Sequence, residues 1–148
     1  MKERKPQRSI RVVAMDLLSR REHSAYELTQ KLKLRDFKID EIEMALARLQ
    51  QDNLQSDSRF IESMVNYRVN AGFGLHKIRH ELRQKGINVE LIEDYLSALT
   101  VEWEKLMEAQ RSKKFGQQIP SEYKEKMKQA RFLQNRGFSP ESVMRLFR

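Results

Sequence analysis

The sequence predicts an all-α protein, an elongated tandem array of three three-helix repeats. Two observations carry this. Apolar residues recur at helical spacing through most of the chain, and no stretch alternates with the period of two that a half-buried strand needs. One pattern also recurs without a gap: Leu32 is followed at offsets 4, 5, 10 and 14 by Asp36, Phe37, Ile42 and Leu46, Leu82 by Gly86, Ile87, Ile92 and Leu96, and Leu133 by Gly137, Phe138, Val143 and Phe147. Each copy has a cation just before the break, Arg35, Lys85 or Arg136, where it complements the negative end of the helix dipole. Repeats of this kind bury their apolar stripes against themselves and their neighbours, which draws the array out.

Residues 1–8 read as a basic arm, followed by repeats at 9–54, 55–99 and 100–148. The first helix runs from Ile10 to about Arg21, with Ile10, Val13, Ala14, Leu17 and Leu18 on one face. Ser24 and Glu27 have capping-box spacing and open the second, whose apolar face is Leu28 and Leu32, extended by Leu34. The third spans about Ile39 to Gln51 through Ile42, Leu46 and Leu49. The second repeat takes 57–71, 75–85 and 89–100, with Asn88 as a cap. In its first helix Phe60, Met64, Tyr67 and Ala71 share a face. Gly72 suits the left-handed end of that helix, and Gly74 can open the next.

The third repeat departs from the plan. A helix through Trp103, Leu106 and Met107 runs into charged Glu108 to Lys114 and is broken at Phe115-Gly116-Gln117-Gln118-Ile119-Pro120. A longer helix from about Ser121 to Arg136 follows, then Ser139-Pro140 starts the last. Upstream the repeat match weakens, with polar Gln129 standing opposite Leu28 and Ile78.

The net charge of +8 is unevenly spread: +6 over residues 1–35, −4 over 36–66, +4 over 67–88, −5 over 89–110 and +7 over 111–148. Basic blocks fall on the second helices, so stacked repeats present a basic side suited to a negatively charged partner. Without cysteine the chain has neither disulfides nor thiolate chemistry. The start lacks the apolar core of a signal peptide and no run is long enough to span a bilayer, so the expected location is the cytoplasm.

Catalysis finds little support, and neither a cofactor nor a metal is called for. His76 and His80 stand at i and i+4, but Lys77 rather than Glu follows the first and no third ligand is evident. Gly72-Phe73-Gly74 imitates a nucleotide-binding loop without the strand or the further glycine. Arg20, Arg21, Arg59, Arg68, Arg79, Arg131 and Arg136 sit by repeat junctions or helix ends, where a guanidinium fork either grips a partner's carboxylate or phosphate or braces neighbouring helices. With Lys77 they are the candidate partner-binding residues. The aromatics Phe60, Tyr67, Phe132 and Phe138 fall on apolar stripes and read as core.

At these residues the chain resembles the RecX family of bacterial RecA regulators. The matching signatures are Leu18-Ser19-Arg20-Arg21-Glu22-His23-Ser24 with Glu27-Leu28, then Asp57-Ser58-Arg59-Phe60. They continue through Arg68, Gly72-Phe73-Gly74, Ile78 and Glu81-Leu82 to Arg131-Phe132-Leu133 and Arg136-Gly137-Phe138. Leu75 departs, since the family often has proline there. The resemblance covers nearly the whole chain. It implies tandem three-helix repeats in a curved molecule, and a monomeric, non-enzymatic inhibitor that lies in the groove of the RecA–DNA filament and dampens ATPase, strand exchange and coprotease activity. Two other readings stay open: direct nucleic-acid binding through the basic surface, since three-helix units serve as helix-turn-helix readers, and a general scaffold.

Overall fold

A computed structural model describes residues 8–148, so all but Arg8 of the expected N-terminal arm lies outside the described residues. Among those described, the chain forms α-helices and no strand: α1 (Ile10–Arg20), α2 (Ala25–Lys33), α3 (Ile39–Gln51), α4 (Asp57–Asn70), α5 (Leu75–Gln84), α6 (Val89–Ser97), α7 (Trp103–Phe115), α8 (Tyr123–Asn135) and α9 (Pro140–Leu146). Three helices per repeat and an all-α tandem plan are what the periodicity predicts.

The helix starts follow the local chemistry. Ser9, Ser24 and Ser139 each turn a side-chain oxygen onto a backbone N–H of the first turn, from Val12, Glu27 and Ser142. The capping box at Ser24 is only half made, because the Glu27 carboxylate bonds Arg21 and Lys85.

The helices sort into two compact units. One comprises the described residues through Ser63 with Lys85–Asn88. Its α1, α2 and α3 pack together over Ala14, Leu17, Leu28, Leu32, Ile42 and Leu49. The other comprises Met64–Gln84 and Val89–Arg148. There α8 packs on α7 and α9 over Met107, Ala130, Leu133, Phe138, Val143 and Phe147. The anchors of the repeat pattern, Leu32, Leu82 and Leu133, are each fully buried.

The face of α4 differs from the expected one. Phe60, Ile61 and Val65 are buried, whereas Ala71 is exposed and Tyr67 is 68% exposed. This rotation buries two β-branched side chains one turn apart and leaves a phenol, not an aliphatic chain, in water. It also lets Arg68 reach Glu81 at 2.7 Å.

The weak point of the repeat match has a structural cause. Gln129 is buried, and its side-chain oxygen accepts a hydrogen bond at 3.2 Å from Arg111, itself fully buried. Arg111 also bonds Glu108 and donates to the carbonyls of Gln117 and Gln118. A polar pair thus replaces an apolar contact, and it ties down the break after α7.

The turns that end the second helices do more than reverse the chain. In the first unit the Ser24 hydroxyl donates to the Lys85 carbonyl at 2.7 Å, and Gly86 lies so close to Tyr26 that a Cβ added there would stand 2.4 Å from that of Tyr26. In the second unit Gly74 N–H donates to the Arg136 carbonyl at 2.8 Å and His76 N–H to that of Gly137 at 2.9 Å. A Cβ on Gly137 would stand 2.4 Å from that of Lys77, and one on Gly74 would stand 2.5 Å from the Gly137 carbonyl carbon. Ser24 and Gly74, like Lys85 and Arg136, occupy equivalent repeat positions, so one junction is built twice. The equivalent turn of the first repeat has Asp36, also left-handed (φ 66°) but exposed, with room for its Cβ. In α8 the repeat leucine is the eleventh residue, against the eighth in α2 and α5, so α8 has nearly one extra turn at its start.

Candidate partner-binding surface

Five of the eight candidate cations are held by carboxylates of their own chain. Arg20 pairs with Asp16 at 3.0 Å, Arg21 with Glu27 at 2.7 Å, Arg59 with Glu22 at 3.1 Å, Arg68 with Glu81 at 2.7 Å and Arg79 with Glu93 at 2.8 Å. The Arg20 pair is largely exposed and adds little stability. The other four are part-buried and brace one segment against another.

Lys77, Arg131 and Arg136 differ: among the described residues no carboxylate pairs with them. The structure gathers two of them on one ring. The Lys77 Nζ lies 4.5 Å from the centroid of Phe73 and the Arg136 guanidinium carbon 4.1 Å away, with that of Arg68 at 5.3 Å. Each cation gains from the negative face of the ring. Arg136 also donates to the Ala71 carbonyl and to Gln110, while its buried Nε, which has no hydrogen-bond partner, belongs to a guanidinium stacked on the ring. Arg131 stands apart from this cluster, exposed on α8, where it lines a groove with Tyr123, Lys124, Lys128 and Met144.

Reading Gly72-Phe73-Gly74 as a helix break holds for Gly72, which is left-handed at φ 85° and ends α4. Gly74 opens α5 as expected, its carbonyl accepting from Ile78 N–H, and its own N–H adds a contact to the Arg136 carbonyl; the phenyl between the glycines has a role of its own. The available signal was the equivalence of Lys85 and Arg136 as cations before a turn. Both act at a junction, one on Glu27 and the other on Phe73.

Glu27 is the electrostatic centre of the first unit. Burial is the largest influence on its carboxyl and pushes it up, but the bonds and charges of Arg21 and Lys85 outweigh burial and hold it at about 2. Its ordinary value is near 4.5, so the contribution to stability is full above pH 4.5 and is lost as the pH falls toward 2. Glu27→Gln should cost on the order of 2–3 kcal/mol at neutral pH and almost nothing near pH 2. Urea unfolding across that range checks this; a constant difference between the two proteins would refute it.

Among the described residues no group of three or more His, Cys, Asp or Glu is placed to hold a metal ion, and no helix is long and apolar enough to cross a membrane.

Comparison with known proteins accounts for nearly the whole chain. Three family models match in order: the first three-helix domain of RecX over residues 11–49, the second over 56–96 and the third over 100–147. The regulatory protein RecX of Pseudomonas fluorescens (strain SBW25) is 43% identical over 138 residues, 93% of this chain and 89% of that protein. The regulatory protein RecX of Pseudomonas tolaasii is 42% identical over the same shares. A crystal structure of regulatory protein RecX superposes with a TM-score of 0.75 at 28% identity, over 93% of this chain and 71% of that one. The crystal structure of RecX from Lactobacillus salivarius gives a TM-score of 0.75 at 23% identity, over 90% and 89%, and so speaks for the fold alone. This chain belongs to the RecX family of regulatory proteins.

Proposed function

We propose that this chain binds the RecA–DNA filament and inhibits RecA ATPase, strand exchange and coprotease activity, acting as a regulator and not as an enzyme. Family membership supports the partner. The observation that supports the surface is the Phe73 cluster, where Lys77 and Arg136 keep charge that no internal carboxylate neutralises. A partner meeting them gains ion pairs without first breaking any, whereas use of Arg21, Arg59, Arg68 or Arg79 sacrifices a brace. Arg131 adds a third such charge on α8.

Lys77→Gln combined with Arg131→Gln tests this. Gln at 77 keeps the Cβ that packs on Gly137 and gives up only the contact of the ammonium with Phe73, about 0.5–1 kcal/mol, while the exposed site 131 should move by less than about 0.5 kcal/mol. The concentration needed to inhibit RecA should rise about tenfold, the loss of roughly 1.4 kcal/mol. Added salt should weaken the parent more than the variant. Full inhibition with unchanged salt dependence would exclude both residues as contacts.

Direct nucleic-acid binding is the second reading, favoured by Lys124, Lys128 and Arg131 along one face of α8 beside the exposed ring of Tyr123. Binding to RecA filaments, free RecA and bare DNA at one salt concentration separates the two. A variant deficient on bare DNA that still inhibits filaments normally would assign this face to DNA.

A further inference from the structure

We propose that Lys31 is a site of acylation, activated by the buried imidazole of His23 and suited to an acyl phosphate. The geometry is specific. His23 is 1% exposed, and its Nδ1 lies 3.0 Å from the Arg21 carbonyl. A carbonyl can only accept, so Nδ1 carries the proton and Nε2 is left with its lone pair. That lone pair faces the Lys31 Nζ at 2.8 Å. The ring is fixed further through its own backbone, since the His23 carbonyl accepts from Gln55. The amine is therefore held by an acceptor that cannot swing away, at the end of a side chain that is partly open to solvent.

The charges around the dyad favour the free amine. Facing Lys31 are Arg21, Lys85 and Arg35, with Glu27 the only acid among them. Burial first, then Arg21, pulls the ammonium below the ordinary lysine range. His23 is likewise held below its ordinary value, chiefly by burial, and stays neutral at physiological pH. The same cationic surroundings draw an anionic donor, which is why an acyl phosphate is the class that fits.

The step balances with the residues present. The free amine, one N–H given to His23 Nε2 and its own lone pair turned outward, attacks the acyl carbon. A carbon–nitrogen bond forms. The adduct's ammonium proton, far more acidic than that of free lysine, passes to Nε2. The carbon–oxygen bond to phosphate then breaks, inorganic phosphate leaves with the electron pair, and the proton passes from the imidazole to the departing phosphate or to water. The product is a neutral amide at Lys31, one positive charge fewer on α2.

The experiment exposes the full chain to acetyl phosphate and follows site occupancy by mass spectrometry of peptides. Lys33, exposed on the same helix, is the internal reference. At pH 7.5 Lys31 should react measurably faster than Lys33, since an ammonium held below the ordinary lysine range leaves more free amine. The advantage should shrink above about pH 11, where an ordinary lysine also loses its proton. His23→Gln should slow Lys31 about tenfold, short of the roughly hundredfold or more that a positioned base contributes in an enzyme, and leave Lys33 alone. Equal rates at Lys31 and Lys33 in the unaltered chain would overturn the proposal whatever the variant does. So would a folded His23→Gln protein that is acetylated at Lys31 as fast as the parent.

Discussion

Gly137→Ala should destabilise the protein by roughly 3–5 kcal/mol, enough to unfold a large share of the molecules. Two costs add. The residue holds φ at 101°, where an L side chain is strained by about 1–3 kcal/mol. A new Cβ would also stand 2.4 Å from the Lys77 Cβ and 2.7 Å from its backbone nitrogen, so the junction must open, at about 1–3 kcal/mol for overpacking. Gly116 supplies the control. Its φ is 93°, but nothing lies within 4 Å of an added Cβ, so Gly116→Ala should cost the strain alone. Chemical denaturation of both variants is the measurement. Equal losses would mean that the close approach at Gly137 contributes nothing.

Arg111→Ala should rank next, at about 2–4 kcal/mol. Removing a fully buried guanidinium leaves a cavity, strips Gln129 of its donor and frees the carbonyls of Gln117 and Gln118. Buried Gln129, left unpaired, costs about 1–3 kcal/mol, whereas the carbonyls of Gln117 and Gln118, in an exposed loop, can turn to water. The loss stays below that of a fully buried broken ion pair because Glu108 is 40% exposed and rehydrates. The double replacement Arg111→Leu with Gln129→Leu should recover much of the loss, since it removes donor and acceptor together. Strict additivity of the two single changes would show that the residues do not act as a pair. Protease cleavage near Gly116 should also rise in Arg111→Ala, because the loop loses its tether.

Much of this architecture was legible because it is written twice or more. The apolar anchors Leu32, Leu82 and Leu133 repeat, and periodicity turns repetition into helices and register. Ser24 and Ser139 declared helix starts through cap chemistry, which needs only neighbours in sequence. Tertiary pairing decided what remained hidden. Gln129 breaks the apolar pattern because its partner is Arg111, eighteen positions away. The rotation of α4 buries Ile61 and Val65 and brings Arg68 to Glu81, and that partner lies on another helix.

The candidate site was legible by residue type and not by role. Cations near helix ends were the right population to consider, yet five of them carry their counter-charge within the fold. Distinguishing those from Lys77, Arg131 and Arg136 required knowing where each carboxylate lies. Phe73 escaped notice because a ring between two glycines resembles a turn and not a platform, and its role depends on a residue in the next repeat.

The paired turns and helix starts also fix the order of the repeats. Each seated turn must present glycine, because a Cβ at Gly86 or Gly137 would collide with the start it meets, whereas Asp36 already carries one. Each receiving start presents a donor just ahead of its helix, the Ser24 hydroxyl or the Gly74 N–H, whereas the equivalent position in α8 is Glu125, already enclosed in the helix. The turn of the first repeat thus has no seat it can enter, and the start of α8 is no seat for a turn of this kind. The three units are not interchangeable bricks: shuffled by gene fusion, they would keep their individual helices and lose their joints.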